Sequence, residues 1–153
     1  MSNAATTLIE AHRRAGLLDA PEIQLARSLA RIAGETRPEV LLAAAWALRG
    51  PRQGHICVDL AASQSLEASE QELLDGEELP WPAFDAWRAT LLDSALVRAA
   101  TGTSGSAPLV LDGSRLYLDR YFRYERRLVD AMTGRANAGH EADDAVLGQL
   151  LDE

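Results

Sequence analysis

A chain of 153 residues, 47% hydrophobic and 25% charged, has the composition of an ordinary globular protein and is long enough to bury one core. Its net charge of −8 argues against a general nucleic-acid coat, because duplex binding depends on neutralising phosphates. All 15 basic residues are arginine, which excludes a G-x-x-x-x-G-K-[ST] phosphate loop and lysine Schiff-base chemistry. The longest apolar run, Val40 to Leu48, falls well short of the roughly 18 residues that a membrane span needs. Met1 to Thr7 shows no signal-peptide pattern, and Cys57 is the only cysteine, so a cytoplasmic protein without an internal disulfide is expected.

Ser2-Asn3-Ala4 resembles a tag remnant, and a short helix is expected from about Ala5 to Ala15. Two helices then open with the same syntax. Asp19-Ala20-Pro21-Glu22 and Thr36-Arg37-Pro38-Glu39 each place a capping residue three positions before a glutamate, with proline in the first turn. The first helix should carry Ile23, Ala26, Leu29, Ala30 and Ala33 on one stripe and stop at Gly34. The second should run from about Arg37 to Leu48. Its segment Leu41 to Ala47 is apolar nearly all round, which marks a central helix.

Gly54 to Leu60 alternates as a strand, with Ile56, Val58 and Leu60 on one face. Ser65 to Leu79 is acidic and reads as a solvated helix or loop, and Phe84, Trp87, Leu91 and Leu92 mark an amphipathic helix. Ala99 to Ala107 is small and polar and predicts a loop. Pro108 to Leu118 predicts a hairpin turning at Asp112-Gly113, with Leu109, Leu111, Leu116 and Leu118 on one face. After Asp119 the period becomes helical through Tyr121, Glu125, Leu128, Val129 and Met132. Gly134 to Gly139 reads as a linker, and Glu141 to Leu151 as a last helix with Ala142, Val146, Leu147 and Leu150 on one side.

These elements predict a mainly α, α+β fold: a helical bundle carrying a small three-stranded antiparallel sheet with a winged-helix-like hairpin. The expected core contains Leu29, Ile32, Leu41, Leu42, Trp46, Ile56, Leu91, Leu111, Leu116 and Leu118. A main domain is expected over 5–133, with a linker and helix over 134–153.

No catalytic, cofactor-binding or metal-binding set emerges. His55 and Cys57 lie two apart and share a strand face, but a structural zinc needs more ligands, and a buried cysteine commonly behaves as a small hydrophobe. A Cys57 nucleophile lacks the arranged third group such sites use. The carboxylates of Glu67 to Glu78 form a run of like charge rather than an acid–base pair. The clearest candidate surface is Arg115, Tyr117, Arg120, Tyr121, Arg123, Tyr124, Arg126 and Arg127. Arginine interleaved with aromatics suits protein hot spots and nucleic acids alike, although rings packed on the bundle and arginines paired with nearby acids would look the same in sequence. The acidic remainder of the chain favours a protein partner.

Two stretches together resemble a known family. Ala43-Ala44 through Gly54-His55-Ile56-Cys57-Val58-Asp59-Leu60, and Pro108-Leu109-Val110-Leu111 through Arg115-Leu116-Tyr117-Leu118-Asp119-Arg120-Tyr121 to Glu125, look like the N-terminal domain of RecD. RecD is the alpha subunit of bacterial exodeoxyribonuclease V, the RecBCD complex. The resemblance covers about Leu8 to Leu151 and implies a helicase motor, binding ATP and Mg, that follows such a domain. It implies that the parent is an ATP-dependent 5′-to-3′ DNA helicase in double-strand-break repair. It further implies that this domain, itself without cofactor or catalysis, docks the subunit to the beta and gamma subunits (RecB and RecC), chiefly the gamma subunit. The alternative is a winged-helix-like DNA-binding module using Arg115 to Arg127.

Overall fold

The computed structural model describes residues 2–63, 79–102 and 105–137. Nearly all of the acidic segment and the helix expected at 141–151 lie outside them. In chain order the elements are α1 (Ser2–Arg14), α2 (Ala20–Ala33), α3 (Pro38–Arg49), a 3-10 turn (Gly50–Gln53), β1 (Cys57–Asp59), α4 (Phe84–Leu92), β2 (Val97–Ala99), β3 (Leu109–Asp112), β4 (Arg115–Leu118) and α5 (Asp119–Asn137). Helical backbone also begins at Leu60. The triplet resembling a tag remnant belongs to α1. By compactness the chain divides into two units, Met1–Phe122 and Arg123–Glu153.

In the first unit, α2 starts and ends as its residues dictate. The Glu22 carboxylate accepts the Asp19 N–H at 3.2 Å, completing the return half of a capping box. At the other end Gly34 takes the left-handed conformation (φ 69°), which lets the Glu35 N–H reach back to the Ala30 carbonyl at 2.8 Å. The second expected box does not form: the N-cap of α3 is Arg37, not Thr36. The amides of Thr36 and Arg37 are already satisfied from upstream, each donating to Glu35 Oε1 at 3.0 Å, and Pro38 has no N–H to satisfy. α3 is the central helix. Val40 and Leu42 to Ala47 are buried, and it packs against α1, α2, α4, β1 and β4.

The sheet has four strands in the order β1-β4-β3-β2. β3 and β4 form the expected hairpin, but it turns at Gly113-Ser114 rather than Asp112-Gly113, because Asp112 still pairs with Arg115 as Leu109 pairs with Leu118; Gly113 has φ 61°. β1 pairs antiparallel with β4. The mainly α, α+β class is as expected, but the sheet is mixed rather than three-stranded and antiparallel. β2 adds a fourth strand parallel to β3, with Val97 beside Leu109. Three residues are too few to display an alternation, so their partner alone defines them as a strand.

Alternation divides the sheet between two apolar clusters. Leu109, Leu111 and Leu116, with the partly buried Val58 and Leu118, face the helices in the main core. Val110 and Tyr117 face the other way and pack with Phe122, Cys57 and Ala100. Leu42, Trp46, Leu91, Leu111 and Leu116 are buried as expected, and Leu29, Leu41 and Leu118 pack against the core. Ile32 and Ile56 are exposed instead, at 82% and 45%. Ile32 lies half a revolution from Ile23, whose side of α2 is buried. Ile56 precedes β1, so strand alternation does not govern it.

In the second unit the described part is the body of α5. It continues helically to Asn137, through residues expected to begin a linker. Among the described residues no helix is long and apolar enough to cross a membrane.

Candidate partner interface

The structure distributes the arginine- and tyrosine-rich candidates between the two units. In the first unit, Tyr117 is a core residue, only 2% exposed, and corrects its assignment as a surface contact. It lies on the β4 face opposite Leu116 and Leu118, where its ring meets Phe122 edge-on at 5.4 Å. Arg115, on the exposed start of β4, has its basicity raised chiefly by the Tyr117 hydroxyl. Arg120, at the start of α5, is exposed, donates to the Tyr121 hydroxyl at 2.8 Å and sits 4.6 Å from that ring's centre.

Arg98 is a contributor that the sequence pattern does not single out. Its guanidinium donates to Asp119 Oδ1 at 2.8 Å and lies 5.5 Å over the Phe122 ring, tying β2 to the first turn of α5. Asp119 favours that end of the helix, where the dipole is positive. Its only signal in the sequence is an arginine next to a short β-compatible run.

In the second unit, Arg123, Tyr124, Arg126 and Arg127 are all on α5 and exposed. Leu128, Val129 and Met132 are exposed too. Around the helix, Arg123, Arg126 and Arg127 gather on one side, and Tyr124, Leu128 and Met132 on the other.

His55 and Cys57 do not form a ligand pair. β1 begins at Cys57, leaving His55 exposed before it, and the half-buried Cys57 packs beside Val110 and Tyr117. Among the described residues no group of three or more His, Cys, Asp or Glu side chains could hold a metal ion.

Two polar centres without a sequence signature are structural. Glu35 accepts from Arg37 Nε at 2.9 Å and Nη2 at 2.7 Å, and from Ser94 Oγ at 2.6 Å. Arg37 Nη1 continues to Asp93 Oδ2 at 2.8 Å, so the α2–α3 turn is clamped to the end of α4. These bonds, led by those from Arg37, hold the Glu35 carboxyl at about 2, although burial opposes them. Deeper in, His12 is fully buried among tryptophans, edge-on to Trp81 at 4.6 Å and to Trp46 at 6.1 Å. Its Nδ1 lies 2.9 Å from the Leu8 carbonyl, which can only accept, so Nδ1 carries the proton. His12 Nε2 and Trp46 Nε1 are buried without a hydrogen-bond partner among the described residues. Burial lowers the His12 pKa.

Residues 14–117, from the end of α1 into β4, match the family described as RecBCD enzyme subunit RecD, N-terminal domain. The chain belongs to this family. It is 34% identical over 142 residues to the RecBCD enzyme subunit RecD of Mycobacterium tuberculosis (strain CDC 1551 / Oshkosh), covering 88% of this chain and 22% of that protein. It is 37% identical over 133 residues to the RecBCD enzyme subunit RecD of Mycolicibacterium smegmatis, covering 86% and 21%. The chain therefore spans about a fifth of the length of the curated RecD relatives it matches. The RecD family match takes in Arg115 and Tyr117 and stops short of Arg120 to Arg127.

Proposed function

We propose that this chain is a non-catalytic assembly domain of a RecD-like helicase subunit. In this reading it docks the subunit to RecB and RecC, chiefly to RecC, the gamma subunit, within a cytoplasmic exodeoxyribonuclease V that acts in double-strand-break repair and recombination. ATP, Mg and 5′-to-3′ unwinding belong to the parent motor, because no lysine is available here to build a phosphate loop. One observation carries the reading: a chain of net charge −8 concentrates exposed arginines at Arg115, Arg120, Arg123, Arg126 and Arg127. Arginine with neighbouring tyrosine is what protein hot spots favour. The net charge of −8 weighs against DNA, whose binding depends on neutralising phosphates.

The test sets pull-down with the cognate beta and gamma subunits beside titration with duplex and single-stranded DNA at two salt concentrations. Capture of the subunits, lost in an Arg120→Ala/Arg123→Ala variant, with no DNA binding, is the expected result. Micromolar DNA binding that weakens steeply with salt and disappears in the same variant would install the DNA-binding alternative instead.

A further inference from the structure

Among the described residues, Ile32 is the most exposed large apolar side chain, at 82%. A β-branched residue lowers helix propensity, and an exposed one adds nothing to the core, so folding gives no reason for it within α2. Leu25, 55% exposed, lies seven positions earlier, and the half-buried Leu29 sits between them. Positions i, i+4 and i+7 share one line along a helix, here about 10 Å long. Single exposed apolar residues are ordinary, but three in line are the anchors with which a helix fills an apolar groove.

The helix presents this line rigidly. Ile23, Ala26 and Ala30, on another side, are buried in the main core, and both ends of α2 are capped. Little ordering cost would therefore accompany docking. The charge beside the line is one-sided. Glu22 is engaged by Arg52, and Glu35, just past the helix, by Arg37. Arg27 and Arg31 are exposed, one turn apart, and neither pairs with an acid among the described residues, whereas Arg13, Arg37, Arg52 and Arg98 each do. Arg31 precedes Ile32 and so lies about 100° around the helix from it, at the rim of the line.

We propose that the Leu25–Leu29–Ile32 edge of α2 is a docking ridge that seats in an apolar groove of a partner subunit, with carboxylates on the groove's rim meeting Arg27 and Arg31. The inference rests on the docking reading for the choice of partner, and adds to it a second surface, inside the family match and apart from the arginines of β4 and α5. A second copy of the chain is the poorer occupant. Across a two-fold axis each copy would present the same arginines to the other, and a net charge of −8 on both adds repulsion.

The test titrates the full chain against the purified beta and gamma subunits in turn. Leu25→Ala/Ile32→Ala should weaken binding to one of them at least ~10-fold, as central apolar anchors do. Arg31→Glu should weaken the same binding at least ~5-fold, while Arg88→Glu, an equal charge change at an exposed site on α4, should stay within about 2-fold. All these side chains are exposed, so melting midpoints should remain within about 2 °C of the unmodified chain. Capture that is lost in Arg120→Ala/Arg123→Ala but unchanged in Leu25→Ala/Ile32→Ala would overturn this inference and leave the docking reading standing. Capture of neither subunit would overturn both. Equal losses in Arg31→Glu and Arg88→Glu, or a sharply lowered midpoint in Leu25→Ala/Ile32→Ala, would replace the ridge with a general charge effect or a packing role. A dimer of the chain in sedimentation, dispersed by Leu25→Ala/Ile32→Ala, would seat a second copy there instead.

Discussion

At the scale of single residues, the informative side chains are buried polar groups, and they predict how stability follows pH. The Glu35 carboxyl sits at about 2 against an ordinary value of 4.5, held down first by Arg37 and also by Ser94. The folded state therefore binds this proton more weakly than the unfolded state. The resulting stability is complete above pH 4.5 and is lost as pH falls toward 2. His12 has a pKa lowered by burial from 6.5, so its unfolded form takes up the proton first, and stability falls as pH drops below 6.5. Unfolding free energy measured against pH should thus decline in two stages. Glu35→Gln should flatten the lower stage and cost about 1–3 kcal/mol at neutral pH, because Arg37 and Ser94 lose a charged acceptor. His12→Phe should flatten the upper stage while keeping a ring against Trp81. An unchanged profile in either variant would contradict the assigned role.

At the scale of elements, two glycines predict opposite effects of one substitution. Gly34 ends α2 at φ 69°, where a side chain is strained, so Gly34→Ala should cost about 1 kcal/mol in urea unfolding. Gly134 lies inside α5, and a Cβ there would meet nothing within 4 Å. Gly134→Ala should favour the helix by about 0.5–1 kcal/mol, read as increased helical signal in far-UV circular dichroism. Helix ends were legible because their signals are local: Asp19 to Glu22 and Gly34 act within a few residues of themselves. The Thr36 cap failed because Glu35, one residue outside the expected box, reached those amides first.

At the scale of the first unit, Leu116 is where the sheet meets the helices. It is fully buried in the main core and pairs with Val58 on one side and Leu111 on the other. Leu116→Ala should destabilise by about 2–5 kcal/mol, since the lost methyls leave a cavity between strand and helix. Trp46, Trp81 and Trp87 all pack within or against that core. Tryptophan fluorescence and the strand and helix signals of circular dichroism should therefore shift to the same lower midpoint. Transitions that separate would show sheet and bundle unfolding independently.

The sequence by itself determined what depends on neighbours along the chain. That covers α2 and α3 with their apolar faces, the β3–β4 hairpin and its shared leucine face, the helical character after Asp119, and the motif resemblance to the RecD N-terminal domain. Only the tertiary structure decided which partners distant residues would meet. β2 exists as a strand because β3 lies beside it. Tyr117 left the candidate surface because β4 turns it onto Phe122, and Arg98 joined the start of α5 because strand pairing carries it there. His12 became a core residue because α1 packs on α3, bringing it to Trp46. Periodicity specifies which side of an element is apolar; what that side faces depends on contacts many residues away, formed only when the chain has folded.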